Sequence, residues 1–384
     1  MPWRESNTVT ERLKFIAAHE SGLYAMTELC TRFGISRKTG YKLVARYEQE
    51  GVAGLEDHSH APRHCPHRIS PEVEAVLLEA RRAHPSWGPK KLVALLASRH
   101  PGLVLPAPST VGVLLKRHEL IVPRKRRSPR SPFVRPQRCP AEAPNTVWSI
   151  DFKGEFRTRD GQLCYPLTVQ DVCTRYMLGI TGLDSTAGAG VRTTLEALFQ
   201  ERGLPEVLRS DNGVPFVAPH VPGHGLSRLR VWWIKLGILH ERIDPGRPDQ
   251  NGRHERMHRT LKAETARPPE ADRKAQQVRF DEWRREYNEE RPHEALAQVP
   301  PASRYTASLR AYPEQLPEAE YPGHFEVRRV RRGGEILFRQ RDVFLSETLA
   351  NEDVALEEVD DGVWTIWFYD LEVGRLDERT FRLS

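Results

Sequence analysis

Three acidic side chains stand where carboxylates could do chemistry. Asp151 interrupts V-W-S-I-D-F, an otherwise apolar strand pattern, where an acid is costly to bury unless something pairs with it. Asp211 ends a second strand pattern in R-S-D-N-G. Glu255 opens a helical stretch in N-G-R-H-E-R-M-H. Carboxylates from two strands and a helix can converge on Mg²⁺ or Mn²⁺, hard ions that take oxygen ligands and leave positions for water and phosphate. Two such ions ~3.5–4 Å apart stabilise the attacking and leaving oxygens of an in-line phosphoryl displacement. The residues alone leave a plainer reading open. Asp211-Asn212-Gly213 makes a good turn, Glu255 suits a helix N-terminus, and the chain offers 52 acids to choose from.

The elements that must position these acids are legible in the hydrophobic pattern. Residues 147–156, 163–172 and 176–183 read as three strands, and 205–213 as a short strand ending at Asp211. Gly190 to Arg202, a stretch around Val231–Leu236, Gly252 to Ala266 and Phe280 to Asn288 read as helices. A loop is expected after Leu236. The pattern predicts an α/β domain with a mixed sheet over 145–305.

Upstream the chain reads as helices. In 1–68, Val9, Leu13, Ile16 and Ala17 share one helical face, and Met26, Leu29, Cys30 and Phe33 share another. Gly34 breaks the pattern and Ser36 is placed to cap a third helix to about Glu50. This is a helix-turn-helix pattern, with Arg37, Lys38, Thr39 and Lys42 on the first turns of the last helix, facing base edges and phosphates. A generic three-helix bundle fits the same spacing. Residues 69–122 repeat the plan, with Ser70-Pro71 opening one helix and Ser109 placed to cap another. Two such units in tandem favour DNA binding. Residues 123–144 hold six prolines and the run P-R-K-R-R-S-P-R, with Arg124, Lys125, Arg126 and Arg127. Such a block does not fold alone and commonly lies on nucleic acid. Stiffened toward polyproline II, the linker spans up to about 60–70 Å. Residues 320–384 switch to short strands and read as a small β-barrel or sandwich, with Trp364 and Trp367 in its core and Gly333-Gly334 as a hairpin turn. Its early arginines suit DNA or subunit contacts, and its acidic later strands suit protein contacts equally.

Composition narrows the classes. The 384 residues carry 58 Lys plus Arg and a net charge of +6. No apolar run approaches the ~18 residues of a membrane helix, and the N-terminus lacks a secretory apolar core. Five scattered cysteines without a C-x-x-C pair fit a reducing compartment. A cytoplasmic protein is expected.

Five blocks then carry a resemblance: W-S-I-D-F-K-G (148–154), L-T-V-Q-D-V-C-T-R-Y (167–176), S-D-N-G-V-P-F (210–216), P-G-R-P-D-Q-N-G-R-H-E-R-M-H-R-T-L-K-A-E (245–264) and Y-N-E-E-R-P-H-E-A-L (287–296). In this order, closed by P-P-A-S-R-Y (300–305), they resemble bacterial insertion-sequence transposases with a retroviral-integrase-type catalytic core. The tandem helical domains and the C-terminal β domain resemble that family too. The resemblance implies a ribonuclease-H-like fold and makes Asp151, Asp211 and Glu255 its Asp-Asp-Glu metal triad. Glu255 is preferred over Glu241 and Glu264 because it follows the N-G-x-x pattern. His258, Arg259 and Lys262, three, four and seven residues on, share its helix face and suit DNA phosphates.

The implied function is cleavage at the inverted-repeat ends of a mobile element and transfer of the 3′-hydroxyl to target DNA, with two Mg²⁺ or Mn²⁺ ions and a homo-oligomer, dimer or larger. One departure is the 43 residues between Asp211 and Glu255, longer than usual in the family; the surplus falls in a loop at 218–227. The histidine-rich 58–67 segment matches no defensible zinc spacing. His293 is assigned to positioning or DNA contact and not to catalysis. A DNA-binding regulator derived from a transposase, or a nuclease without strand transfer, are the alternative readings.

Overall fold

The computed structural model describes residues 7–57, 69–121, 139–217, 226–243 and 252–384. Arg124–Arg127, the histidine-rich segment and most of the 218–227 loop lie outside the described residues. The chain divides into two compact units, Met1–Arg68 and Ile69–Ser384.

The smaller unit is a three-helix bundle: α1 (Thr8–Glu20), α2 (Met26–Arg32) and α3 (Arg37–Glu50). Ser36 caps α3 by accepting from the Thr39 N–H at 3.2 Å. Phe15, Ile16, Leu29, Cys30, Leu43 and Leu55 fill its core. Gly40 lets α3 close on α2, since a Cβ there would lie 2.7 Å from Cys30 Sγ. Arg37, Lys38, Thr39, Tyr41 and Lys42 are all exposed on α3.

The larger unit begins with a second bundle, α4 (Pro71–Ala83), α5 (Pro89–Arg99) and α6 (Pro108–Arg117), around Leu77, Trp87, Leu92, Val111 and Leu115. Ser70 caps α4 as its position predicts, accepting from Val73 N–H. Ser109 does not cap α6. That helix starts two residues earlier than such a cap would allow, at Pro108, whose fixed φ favours the first helical position, and Ala107 takes the cap position.

The α/β part has strands β1 (Val147–Phe152), β2 (Phe156–Arg157), β3 (Leu163–Asp171), β4 (Met177–Leu183), β5 (Val207–Ser210) and β6 (Leu239–Arg242). The main sheet runs β4-β3-β1-β5-β6; β5 is parallel to β1, β6 is parallel to β5, and β3 is antiparallel to both its neighbours. This mixed sheet fits the expected integrase-type core. β6 replaces the loop expected after Leu236. Its sequence, L-H-E-R, has one apolar residue and sits at the sheet edge, so it sends no core signal. The sheet is covered on one face by α7 (Gly188–Arg202) and α8 (Arg228–Lys235), through Leu195, Phe199, Trp232 and Trp233. The other face holds α9 (Gly252–Thr265) and α10 (Arg273–Glu289), through Met257, Leu261, Phe280 and Trp283.

The C-terminal part corrects the barrel. Its strands are β7 (Glu326–Arg329), β8 (Glu335–Phe338), β9 (Arg341–Phe344), β10 (Asp353–Asp360), β11 (Val363–Phe368), β12 (Leu371–Asp377) and β13 (Arg382–Leu383). They form an open five-stranded sheet, β13-β12-β11-β10-β7, and a separate β8-β9 hairpin. Gly333-Gly334 makes a turn, closed by Arg331 N–H to Glu335 carbonyl, but the strands it joins belong to different sheets. Trp364 is buried with Ile366 and Phe368, whereas Trp367 is only half-buried and donates to Glu357. Alternation along β11 puts the two tryptophans on opposite faces.

Candidate metal-dependent active site

Alternation along β1 decides which way Asp151 points. Trp148 and Ile150 enter the core under α7 and α8. Ser149, Asp151 and Lys153 therefore face α9. Asp211 follows β5 directly, and β5 runs parallel beside β1 with Ser149 opposite Arg209. Asp151 and Asp211 thus sit at the carboxyl ends of adjacent parallel strands, a usual place for α/β ligand sites. Asp211 Oδ1 accepts from Gly213 N–H at 3.0 Å, the local turn that the glycine permits. Glu255 lies in the first turn of α9 and is exposed.

Asp211 and Glu255 both act on Asp151. Asp151 is raised to about 7 by burial and then by the charge of Asp211, with Glu255 adding to it; the Phe152 backbone N–H and Lys153 pull the other way. A cleft of about 340 Å³ is lined by Glu255 together with Lys153, His258, Arg259, Lys262 and Arg267. Burial and the neighbouring Lys262 lower the Lys153 pKa. Mutually repelling carboxylates beside a cationic cleft fit hard divalent ions on the acids and phosphates along the cations.

The sequence missed what lies beneath the acids. Thr168, directly across from Asp151 on β3, donates to the Asp151 carbonyl at 3.0 Å. His254 Nε2 and His258 Nε2 each lie 2.7 Å from the Thr168 hydroxyl, and His254 Nδ1 lies 2.9 Å from Ser149 Oγ. These bonds pin α9 onto β1 and β3. Burial pushes the pKa of His254 down to about 3 and that of His258 down as well. Asp151, His254 and His258 offer ligand atoms within 4.8 Å of one another. His258 is thus a floor residue of the cleft, 4% exposed, while Arg259 stands out from it into solvent. The i, i+4 spacing of two histidines flanking Glu255 is the signal that could have found this floor.

The rejected acids have structural partners. Glu241 is bonded by Arg209 and by the Cys139 N–H. Glu264 accepts from Trp283 Nε1 at 2.5 Å and pairs with Arg291 at 3.2 Å. Asp171, inside a motif block, is fully buried and accepts from Thr174 and Asn145. His293 is half-buried near Tyr287.

The mixed sheet with helices on both faces fits an integrase-type core, the core of a metal-dependent polynucleotidyl-transferase family. Integrase core domain families match residues 141–248 and 236–301. A helix-turn-helix domain matches 11–63, a homeodomain-like domain 39–115, and the IS481 family transposase C-terminal domain 325–382. The 39.2 kDa protein of insertion element IS476 from Xanthomonas euvesicatoria is 30% identical over 254 residues, 65% of this chain and 68% of that protein. The 31.7 kDa protein of insertion element IS407 from Burkholderia multivorans is 30% identical over 193 residues, 50% of this chain and 66% of that one. A chain of the simian T-cell lymphotropic virus intasome aligns at a TM-score of 0.37 and 16% identity, covering 77% of this chain and 96% of that chain. The chain belongs to the bacterial insertion-sequence transposases with an integrase-type core. Among the described residues no helix is long and apolar enough to cross a membrane.

Proposed function

We propose that this protein binds the terminal inverted repeats of an insertion sequence, cuts the DNA at the element's ends and joins the resulting 3′-hydroxyls to target DNA. The reading is supported by the charges of Asp211 and Glu255, which both act on Asp151, and by the cationic cleft that Glu255 lines with Lys153, Arg259 and Lys262. These three carboxylates would hold two divalent ions, Mg²⁺ or Mn²⁺, which would supply Lewis-acid stabilisation of the attacking and leaving oxygens. Lys153, Arg259 and Lys262 hold the phosphates flanking the scissile bond. Thr168 fixes the strand position of Asp151 through its carbonyl. Arg37, Lys38, Thr39 and Lys42, exposed at the start of α3, read the element end. Arg124, Lys125, Arg126 and Arg127 add contacts to DNA phosphates. Two ends must be joined in concert, so the working form is a dimer or larger assembly on DNA.

A strand-transfer assay with labelled element-end DNA, target plasmid and Mg²⁺ or Mn²⁺ tests the reading. Joined products are expected with the unmodified protein and absent with Asp211→Asn. Cutting without joining supports a nuclease instead. DNA binding with no metal-dependent cutting supports a regulator derived from a transposase.

A further inference from the structure

The two histidines under the acids have a hydrogen-bond arrangement that leaves one ring nitrogen pointed at the site. The Thr168 hydroxyl has one hydrogen and two lone pairs. Its hydrogen goes to the Asp151 carbonyl, which can only accept. Its lone pairs then accept from Nε2–H of His254 and Nε2–H of His258, both at 2.7 Å. An imidazole with its hydrogen on Nε2 carries a lone pair on Nδ1. In His254 that lone pair accepts from Ser149 Oγ–H at 2.9 Å. In His258 it faces Asp151 Oδ2 at 3.8 Å. Two electron-rich atoms therefore confront each other, too far apart for a hydrogen bond. Metal–ligand distances of ~2.0–2.2 Å put two ligands of one ion about 3–4 Å apart.

We propose that His258 Nδ1 is a fourth protein ligand, binding the same divalent ion as Asp151. The inference rests on the reading of Asp151 as a metal ligand. Ligating histidines usually give their second ring N–H to an acceptor that fixes the ring, and the Thr168 hydroxyl does this for His258. His254, with both nitrogens engaged, is a positioning residue that helps lock Thr168 and α9. The nitrogen donor makes this ion position favour Mn²⁺, and Zn²⁺ still more, over Mg²⁺, because imidazole suits borderline ions better than it suits hard ones.

The test is pulsed electron paramagnetic resonance of Mn²⁺ on the full chain, with calorimetric titrations of Mn²⁺ and Mg²⁺. The unmodified protein is expected to give nitrogen-14 coupling from a directly bound imidazole, a readout that needs no variant to fold. His258→Gln, which keeps a donor for Thr168, loses the coupling and about tenfold or more in Mn²⁺ affinity, with a smaller loss for Mg²⁺. His254→Gln keeps the coupling. Mn²⁺ binding that needs Asp151, tested with Asp151→Asn, but carries no imidazole coupling overturns this inference and leaves the carboxylate site standing. Metal binding that ignores Asp151→Asn, or no binding at all, overturns both.

Discussion

The two ends of α9 carry acids of opposite character. At its start, Glu255 joins Asp151 and Asp211, and burial, then the charges of Asp211 and Glu255, raise the Asp151 pKa to about 7. At its end, Glu264 is bonded by Trp283, Arg291 and Ser86. Glu264 belongs to a seam where the α4–α6 bundle meets the core: His84 pairs with Glu286, Lys90 with Glu294 and Arg99 with Glu290. In the seam each acid meets a base or a donor. In the site Asp151 is held by burial and the charges of Asp211 and Glu255 beyond what Lys153 and a backbone N–H offset. Carboxylates that the fold holds together against their own repulsion are the ones poised for cations; matched carboxylates hold elements in place.

The largest effect that could break this contrast is on chemistry. Asp151→Asn should reduce cutting and joining about 10³-fold or more, near 4 kcal/mol of barrier, without lowering stability. The sign follows from the raised pKa. Between the ordinary 3.8 and about 7 the folded state binds a proton that the unfolded state has lost, so ionising Asp151 penalises folding as pH rises. In metal-free buffer the variant should therefore melt at a higher temperature than the unmodified protein at pH 8, with the gain gone by pH 4. A lower melting temperature at pH 8 would place Asp151 among the structural acids.

Next in size is the seam's anchor. Glu264→Ala leaves Arg291, 8% exposed, and the Trp283 N–H without their acceptor. It should cost about 2–3 kcal/mol of stability, read from the urea midpoint, while the activity of the folded fraction persists. Loss of activity at full stability would make Glu264 a member of the site. The smallest effect is at the solvent-facing rim. Arg99→Ala should cost about 0–1 kcal/mol, fading as salt rises. A large, salt-independent cost would mean that the rim holds the seam together.

The resemblance and the periodicity together made most of this legible. The caps at Ser36 and Ser70 and the apolar faces of the helices are local properties, carried by residues a few positions apart. So is the N-G-x-x pattern that separates Glu255 from Glu264. The edge strand β6 was missed because a mostly polar tetrapeptide becomes a strand only when β5 offers it a ladder. The closed barrel was expected because short strands and turns predict β structure but not which strands pair. Here β7 and β13 end as opposite edges of an open sheet.

The sequence by itself determined which residues could do the chemistry and the order of the elements that carry them. Only the tertiary structure decided what each side chain faces. His258, grouped in the sequence with Arg259 and Lys262, turns inward to a threonine 90 residues away. His254 meets a serine 105 residues away. Asp151 titrates high because of burial and a charge from another strand. Ligand geometry, burial and charge balance are set by neighbours distant along the chain, and no local pattern records them.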